Sequence, residues 1–364
     1  MPYQEPIEVA QPYRDAFRRQ CQELVRARFA DAAKCRTAYF QPDSTSPASW
    51  SNSLEKYRSD LRELLGWPLN AEMGSALPSI RRESVGEDEF GRIERVWVEA
   101  LPDWSIYSLL MIPRTNAPTP LALVQHGALG TPEWMSGFYD IEQNYGDLPR
   151  RLLRRGIAVA MPQLWVWDTQ FDAQEAREAK LPAEDPAGVS FHEFAGMLCA
   201  TGSNAMGLEA FGLMRTLDAL LVEDRFDAQR VGMAGLSYGG SITLITAALD
   251  VRIRSAWTSC CFHNGASFKR SRSQGWRDIL HRFGHAELAG MVCPRPLCVE
   301  IGKHDELIPY RGGVAESEKV RAIYDRLSLS DQLLVHVHDG GHEIDESDDR
   351  AVNFFVRTLN GAEP

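Results

Sequence analysis

No apolar run in this sequence comes near the ~20 residues needed to cross a bilayer, so no membrane partner is expected. The opening "MPYQEPIEVAQPYRDAFRRQ" lacks the charged-then-apolar order of a secretion leader, which makes the cytoplasm the expected location. Seven cysteines, an odd number with no CxxC pair, lack the density of a disulfide scaffold and read as reduced, mainly buried thiols. Positive charge is short as well: 39 Lys and Arg against 50 Asp and Glu give a formal net charge of −11. Nucleic-acid affinity requires clustered cations on phosphates, so no nucleic-acid partner is expected. The locally basic "FKRSRSQGWR" (268–277) reads as a solvated loop or helix start. The chain has no internal repeat and no low-complexity tract.

What is present suits a large globular protein. At 364 residues and 44% hydrophobic, the chain can bury a substantial core. Residues 1–90 read as a helical N-terminal extension or cap. Tyr13, Phe17, Leu24, Val25 and Phe29 recur at helical spacing in one helix, and Leu54, Tyr57, Leu61, Leu64 and Leu65 do so in a second. Both stripes predict packing on the main domain. Gly66 and Pro68 stop the second helix, and "QPDSTSPASWSNS" (41–53) has turn composition.

From about Glu94 the pattern changes to short apolar runs: "ERVWVEA", "SIYSLLMIP", "PLALVQHG", "GIAVAMP", "QRVGMAGL", "IRSAWTS", "PLCVEIG" and "DQLLVHVH". The first two lie close enough for a hairpin; helical stretches such as "GLEAFGLMRTLDALL" separate later ones. Near-continuous apolar runs mark strands buried on both faces. The expected fold class is therefore α/β: a mostly parallel eight-stranded sheet with helices on both faces, over residues 91–364. A last helix, with Val352, Phe355, Val356 and Leu359 on one stripe, closes it. The stretch at about 168–200 is too long for an ordinary connection and reads as a lid insertion.

Within this pattern, Gly235-Leu236-Ser237-Tyr238-Gly239 matches G-x-S-x-G. Chance alone supplies that match roughly once in ten chains of this size, so its context decides. An apolar strand precedes the serine and a helix follows, the setting in which a sharp turn lifts the side chain at the carboxyl edge of a sheet. A serine hydroxyl is a weak nucleophile at neutral pH and needs a base, and the base needs an orienting group. His342 lies in a glycine-containing loop just after the final strand, whereas His336 and His338 lie within that strand and read as packed residues. Asp305 follows the seventh strand and is the candidate acid, with Glu300 and Glu306 as rivals. Two backbone amides are expected to face the developing oxyanion, one from Tyr238 and one from "QHGALG" (125–130). Ala128 is the candidate there, with Leu129 the alternative; His126 could brace the loop.

Together "VQHGALG", "GLSYGG", "GKHDELIP" and "DGGH", on the eight-strand pattern, resemble the α/β-hydrolase superfamily. The helical lead-in is similar to that of its dienelactone-hydrolase and acetylxylan-esterase-like branch. The resemblance covers roughly residues 90–360. It implies a cofactor-free serine carboxylester hydrolase with Ser237, Asp305 and His342 as its triad, acting on a small or medium ester, an acylated sugar and a lactone included. Dienelactone hydrolases proper use a cysteine nucleophile, and Ser237 departs from that pattern.

Two other hydrolase classes compete. "HVHDGGH" (336–342) invites a metal-dependent reading, but its spacing misses H-x-H-x-D-H and no second histidine-carboxylate cluster exists, so no metal is expected. "GLSYGG" also resembles prolyl-oligopeptidase-type serine peptidases or amidases, but 90 mostly helical residues cannot form the β-propeller those enzymes carry. A non-catalytic protein on this fold is disfavoured by the complete Ser, Asp and His set. Trp134, Trp165, Trp167 and Phe262 follow strand ends on the ligand-binding edge and are the candidate substrate-lining residues. Cys260 and Cys261 read as packed thiols, and a homo-oligomer is compatible with the sequence.

Overall fold

The structure, a computed structural model, describes residues 2–71, 76–115, 118–139, 143–165, 191–265 and 278–361. Most of the lid insertion expected at 168–200 thus lies outside the described residues, as do Trp167 and the basic stretch 268–277. Three helices precede the sheet: α1 (Ile7–Tyr39), α2 (Pro47–Ser53) and α3 (Glu55–Leu65). The strands are β1 (Ile80–Glu87), β2 (Gly91–Leu101), β3 (Trp104–Pro113), β4 (Thr119–Gln125), β5 (Ala158–Pro162), β6 (Phe226–Leu236), β7 (Ile253–Ser259), β8 (Leu297–Gly302) and β9 (Leu333–His338). Between β4 and β5 lie α4 (Pro132–Met135) and α5 (Leu148–Leu153), and before β6 lie α6 (Phe191–Ala200) and α7 (Ala205–Leu220). Then come α8 (Tyr238–Leu249), α9 (Ile279–Arg282), α10 (His285–Val292), α11 (Tyr310–Arg326) and α12 (Arg350–Leu359).

The strands form one sheet in the order β1-β2-β3-β5-β4-β6-β7-β8-β9. Pairings from β1 to β5 through β2 and β3 are antiparallel, and the rest are parallel. All eight expected runs are strands, and the count is corrected to nine. The additional strand, β1, comes from "IRRESVGE" (80–87), inside the stretch read as helical. It is a mostly exposed edge strand, so it carries no apolar alternation that a sequence could display. By contrast β4 and β5 are buried throughout, which is why their runs are legible.

Two layers cover the sheet. Leu61 of α3, Leu213 of α7, Ile242 of α8 and Ala289 of α10 belong to the core on one face; Leu152 of α5 and Val352 and Phe355 of α12 belong to the other. Burying one such large apolar side chain contributes about 1.5–3 kcal/mol. The stripe of α3 packs as its spacing predicts, with Leu54, Leu61 and Leu65 fully buried. Trp50 Nε1 donates to Gly290 O at 2.9 Å and Arg58 Nε to Ala248 O at 3.2 Å, which pins this segment to α10 and to the carboxyl end of α8.

The first helix departs from expectation. Ala32 and Arg36 are its buried residues, while Tyr13, Phe17, Leu24 and Val25 are 64–75% exposed. Helical spacing shows that a face is apolar; it does not show that the body of the same chain covers it.

Candidate active site

Ser237 alone makes the turn between β6 and α8. Its φ of 60 and ψ of −118 form a conformation that a non-glycine residue keeps only when its surroundings hold it. Ser237 N donates to Ser259 O at 2.8 Å, and Ser237 O accepts from Ser241 N at 3.0 Å. The flanking glycines are required by close approach. A Cβ on Gly235 would strike the carbonyl oxygen of Gly239 in the first turn of α8, and one on Gly239 would strike those of Gln125 and His126 at the end of β4. The side chain is left half-buried at the carboxyl edge of the parallel strands.

Among the three candidate acids, the one that holds His342 is Asp305: its Oδ2 accepts from His342 Nδ1 at 2.8 Å. Asp305 Oδ1 accepts from the amides of Leu307 and Ile308, both at 2.8 Å. Burial by itself would raise this carboxyl, but His342 and the two amides hold it below the ordinary carboxylate range. An ionised Asp305 facing Nδ1 places the proton there, so neutral His342 offers Nε2 as the basic nitrogen. Glu306 is exposed, and Glu300 is fully buried within β8, where burial pushes it up to about 7.

The two loops leave the sheet together. Gly302 packs so closely on Gly341 that a Cβ would strike its carbonyl oxygen. Lys303 N donates to His338 O at 3.0 Å and His304 N to Gly340 O at 2.9 Å. The histidine loop is gripped from two further sides. Cys260 Sγ donates to Glu343 O at 3.3 Å, and Asn144 Nδ2 donates to His342 O at 2.9 Å. Asn144 O in turn accepts from Ile344 N at 2.9 Å.

The segment after β4 forms a tight turn closed by Gly130 N donating to Gly127 O at 3.1 Å, with Leu129 at φ 68. That closing bond uses neither the Ala128 nor the Leu129 amide, the two candidate oxyanion donors. A Cβ on Gly127 would lie 3.4 Å from Ser237 Cβ, so the turn begins against the serine. Tyr145 Oη, deeply buried, accepts from Gly127 N at 3.1 Å. Buried His126 donates from Nδ1 to Gly127 O at 2.7 Å and accepts at Nε2 from Leu164 N at 2.9 Å. Burial lowers it to about 4, against the pull of Gly127 O, so it braces the turn as a neutral ring. Tyr238 is anchored too: its Oη donates to Glu209 Oε2 at 2.5 Å, while Glu209 Oε1 accepts from Trp165 N at 2.6 Å.

Asn144, Tyr145 and Glu209 were not singled out by the sequence. They lie in no motif, and their partners are up to 198 residues away in the chain.

Trp134 on α4 stands edge-on to Tyr145, ring centroids 5.5 Å apart. Trp165, 40% exposed, stacks on Phe194 at 3.9 Å. Phe262 is placed differently from the expectation of a lining residue: it is 1% exposed and packs in the core against His285. Strand ends carry core aromatics as readily as lining ones. Cys260 and Cys261 are buried, and burial pushes their thiols up to about 12 and 11. His336 is buried with Nε2 at 2.8 Å from Asp345 Oδ2.

The histidines of "HVHDGGH" do not converge. Among the described residues, the group whose ligand atoms lie within 4.8 Å of one another is Cys260, Asp305 and His342. Burial pushes the Cys260 thiol up, and its Sγ donates to Glu343 O, while Asp305 and His342 bond to each other. Among the described residues no helix is long and apolar enough to cross a membrane.

No family model matches the sequence. A curated Bacillus subtilis protein named as a hydrolase, YtaP, is 25% identical over 165 residues, which span 43% of this chain and 55% of that protein. Among solved structures, one described as an acetyl xylan esterase from Bacteroides fragilis has a TM-score of 0.64 at 16% identity, covering 90% of this chain and 88% of its own. A glucuronoyl esterase from Solibacter usitatus has a TM-score of 0.60 at 15% identity, covering 86% and 94%. The methylesterase BT1017 has a TM-score of 0.65 at 18% identity, covering 91% and 68%. At such identities the shared property is the architecture, and this chain has the α/β-hydrolase fold.

Proposed function

We propose that this protein is a serine carboxylester hydrolase, with esters carried on sugars as its favoured substrates. The observation that carries the reading is the His342–Asp305 hydrogen bond at 2.8 Å, taken with a Ser237 held at positive φ at the end of β6. The likeness to esterases of acetylated xylan and glucuronoyl esters supports the sugar-ester class. Ser237 Oγ attacks the ester carbonyl while His342 Nε2 takes its proton, and ionised Asp305 stabilises the imidazolium. The amides of Ala128 and Tyr238 receive the oxyanion; a preorganised donor of this kind is worth ~100-fold or more in rate. His342 then protonates the leaving alcohol and activates the water that releases the acyl group. The seven free thiols suit a reducing compartment such as the cytoplasm.

The test is Ser237→Ala, assayed on p-nitrophenyl acetate, acetylated xylooligosaccharides, methyl glucuronate and a p-nitroanilide. The wild type should hydrolyse the esters and not the anilide, and the folded variant should lose on the order of 10³-fold or more. Ester hydrolysis that survives in the folded variant overturns the mechanism; a preference for the anilide overturns the substrate class.

A further inference from the structure

The apolar stripe of α1 is exposed to solvent. Tyr13, Phe17 and Leu24 are 75%, 68% and 65% exposed, and Val25 is 64%. Spacings of four and seven put Tyr13, Phe17 and Leu24 on one face, with exposed Cys21 between the last two. A contiguous apolar face of this kind on a soluble chain marks an interaction surface.

We propose that α1 pairs with α1 of a second copy of this chain, the two helices running antiparallel. Charge selects that occupant and that direction. Along α1, acidic Glu8 and Asp15 precede the basic Arg26 and Lys34, and Arg18 precedes the acidic Glu23. A two-fold axis between Phe17 and Leu24 sets Phe17 against Leu24, Asp15 against Arg26, Arg18 against Glu23 and Glu8 beside Lys34 of the partner. A parallel pair would place like charges together.

The size is sufficient. A 33-residue helix is about 50 Å long. Tyr13 and Phe17 can each bury on the order of 150 Å². Counting Leu24 and Val25 as well, two copies bury roughly 1,000 Å² in total, the lower bound for a specific interface. The axis passes close to Cys21, so the arrangement brings the two Cys21 thiols near each other.

Light scattering on the full chain, with the double variant Phe17→Glu/Leu24→Glu as comparison, tests this. The wild type should have twice the 40.8 kDa of one chain, and the variant should have that single mass with unchanged thermal midpoint and ester hydrolysis. Mild copper oxidation should cross-link the wild type and Cys35→Ser but not Cys21→Ser. A monomeric wild type overturns the proposal, whether or not it binds anionic vesicles. A dimer that persists in the double variant also overturns it. A dimer that is lost in the variant yet never cross-links through Cys21 overturns the antiparallel arrangement.

Discussion

Glu300→Gln should stabilise this protein at alkaline pH and remove part of its pH dependence. Glu300 sits on β8 between its ladder partners Ser259 and His336 and is completely buried. Its Oε1 accepts from Asp345 N at 3.3 Å. Its Oε2, the Ser259 hydroxyl and the Trp257 indole are buried neighbours without a well-aligned bond. Burial raises the carboxyl from 4.5 to about 7, outweighing the opposing pull of Ser259 and the Asp345 amide. The folded state therefore binds this proton more tightly than the unfolded chain does. The group's stabilising contribution is complete below pH 4.5, declines as the pH rises, and is gone above about 7. At about 1.4 kcal/mol per tenfold change in acidity, the full effect is about 3 kcal/mol. Glutamine has no proton to lose, keeps an acceptor for Asp345 N, and can donate to the Ser259 hydroxyl. In urea unfolding series from pH 4.5 to 8, the stability difference between variant and wild type should grow with pH to about 3 kcal/mol and then level off. A difference that stays flat across that range, or a variant less stable at pH 8, refutes the reasoning.

Other perturbations separate the parts of the site. Asp305→Asn keeps the shape but removes the charge opposite His342 Nδ1, so kcat should fall on the order of 10³–10⁴-fold with an unchanged circular dichroism spectrum. Tyr145→Phe leaves the Gly127 amide buried without its acceptor, costing about 1–3 kcal/mol. If the turn that this amide begins carries the proposed oxyanion donor, steady-state kinetics should show kcat reduced more than KM is raised. Gly239→Ala forces a side chain into two carbonyl oxygens and should cost about 3 kcal/mol or more in a melting experiment. Gly341→Ala, beside His342 but with open space around its would-be Cβ, should leave both melting and activity close to wild type.

Much of the fold was legible because its strands have a local signature. The runs that become β4, β5 and β6 are apolar where they are buried, and the pattern follows from that burial. β1 escaped because a mostly exposed edge strand has no such pattern. The serine, acid and histidine were legible because each sits just past a strand end in a turn-forming segment. Phe262 shows the limit of that reasoning: a position at the carboxyl edge does not reveal whether a ring faces the ligand or the core.

By itself, the sequence determined the glycine spacing around Ser237, the strand and helix on either side of it, and the loops that carry Asp305 and His342. Apolar runs and turn-forming residues write these elements locally, as does the close approach of Gly235 to the Gly239 carbonyl four residues on. Only the tertiary structure decided which of Glu300, Asp305 and Glu306 meets His342, because that depends on how β8 and β9 lie side by side. It also decided that Asn144 and Tyr145 tie the His342 loop and the turn after β4 together, and that no described residue buries the stripe of α1. Side-chain contacts between separate elements, from 18 to 198 positions apart here, leave no local periodicity, since neither partner constrains its own neighbours in the chain.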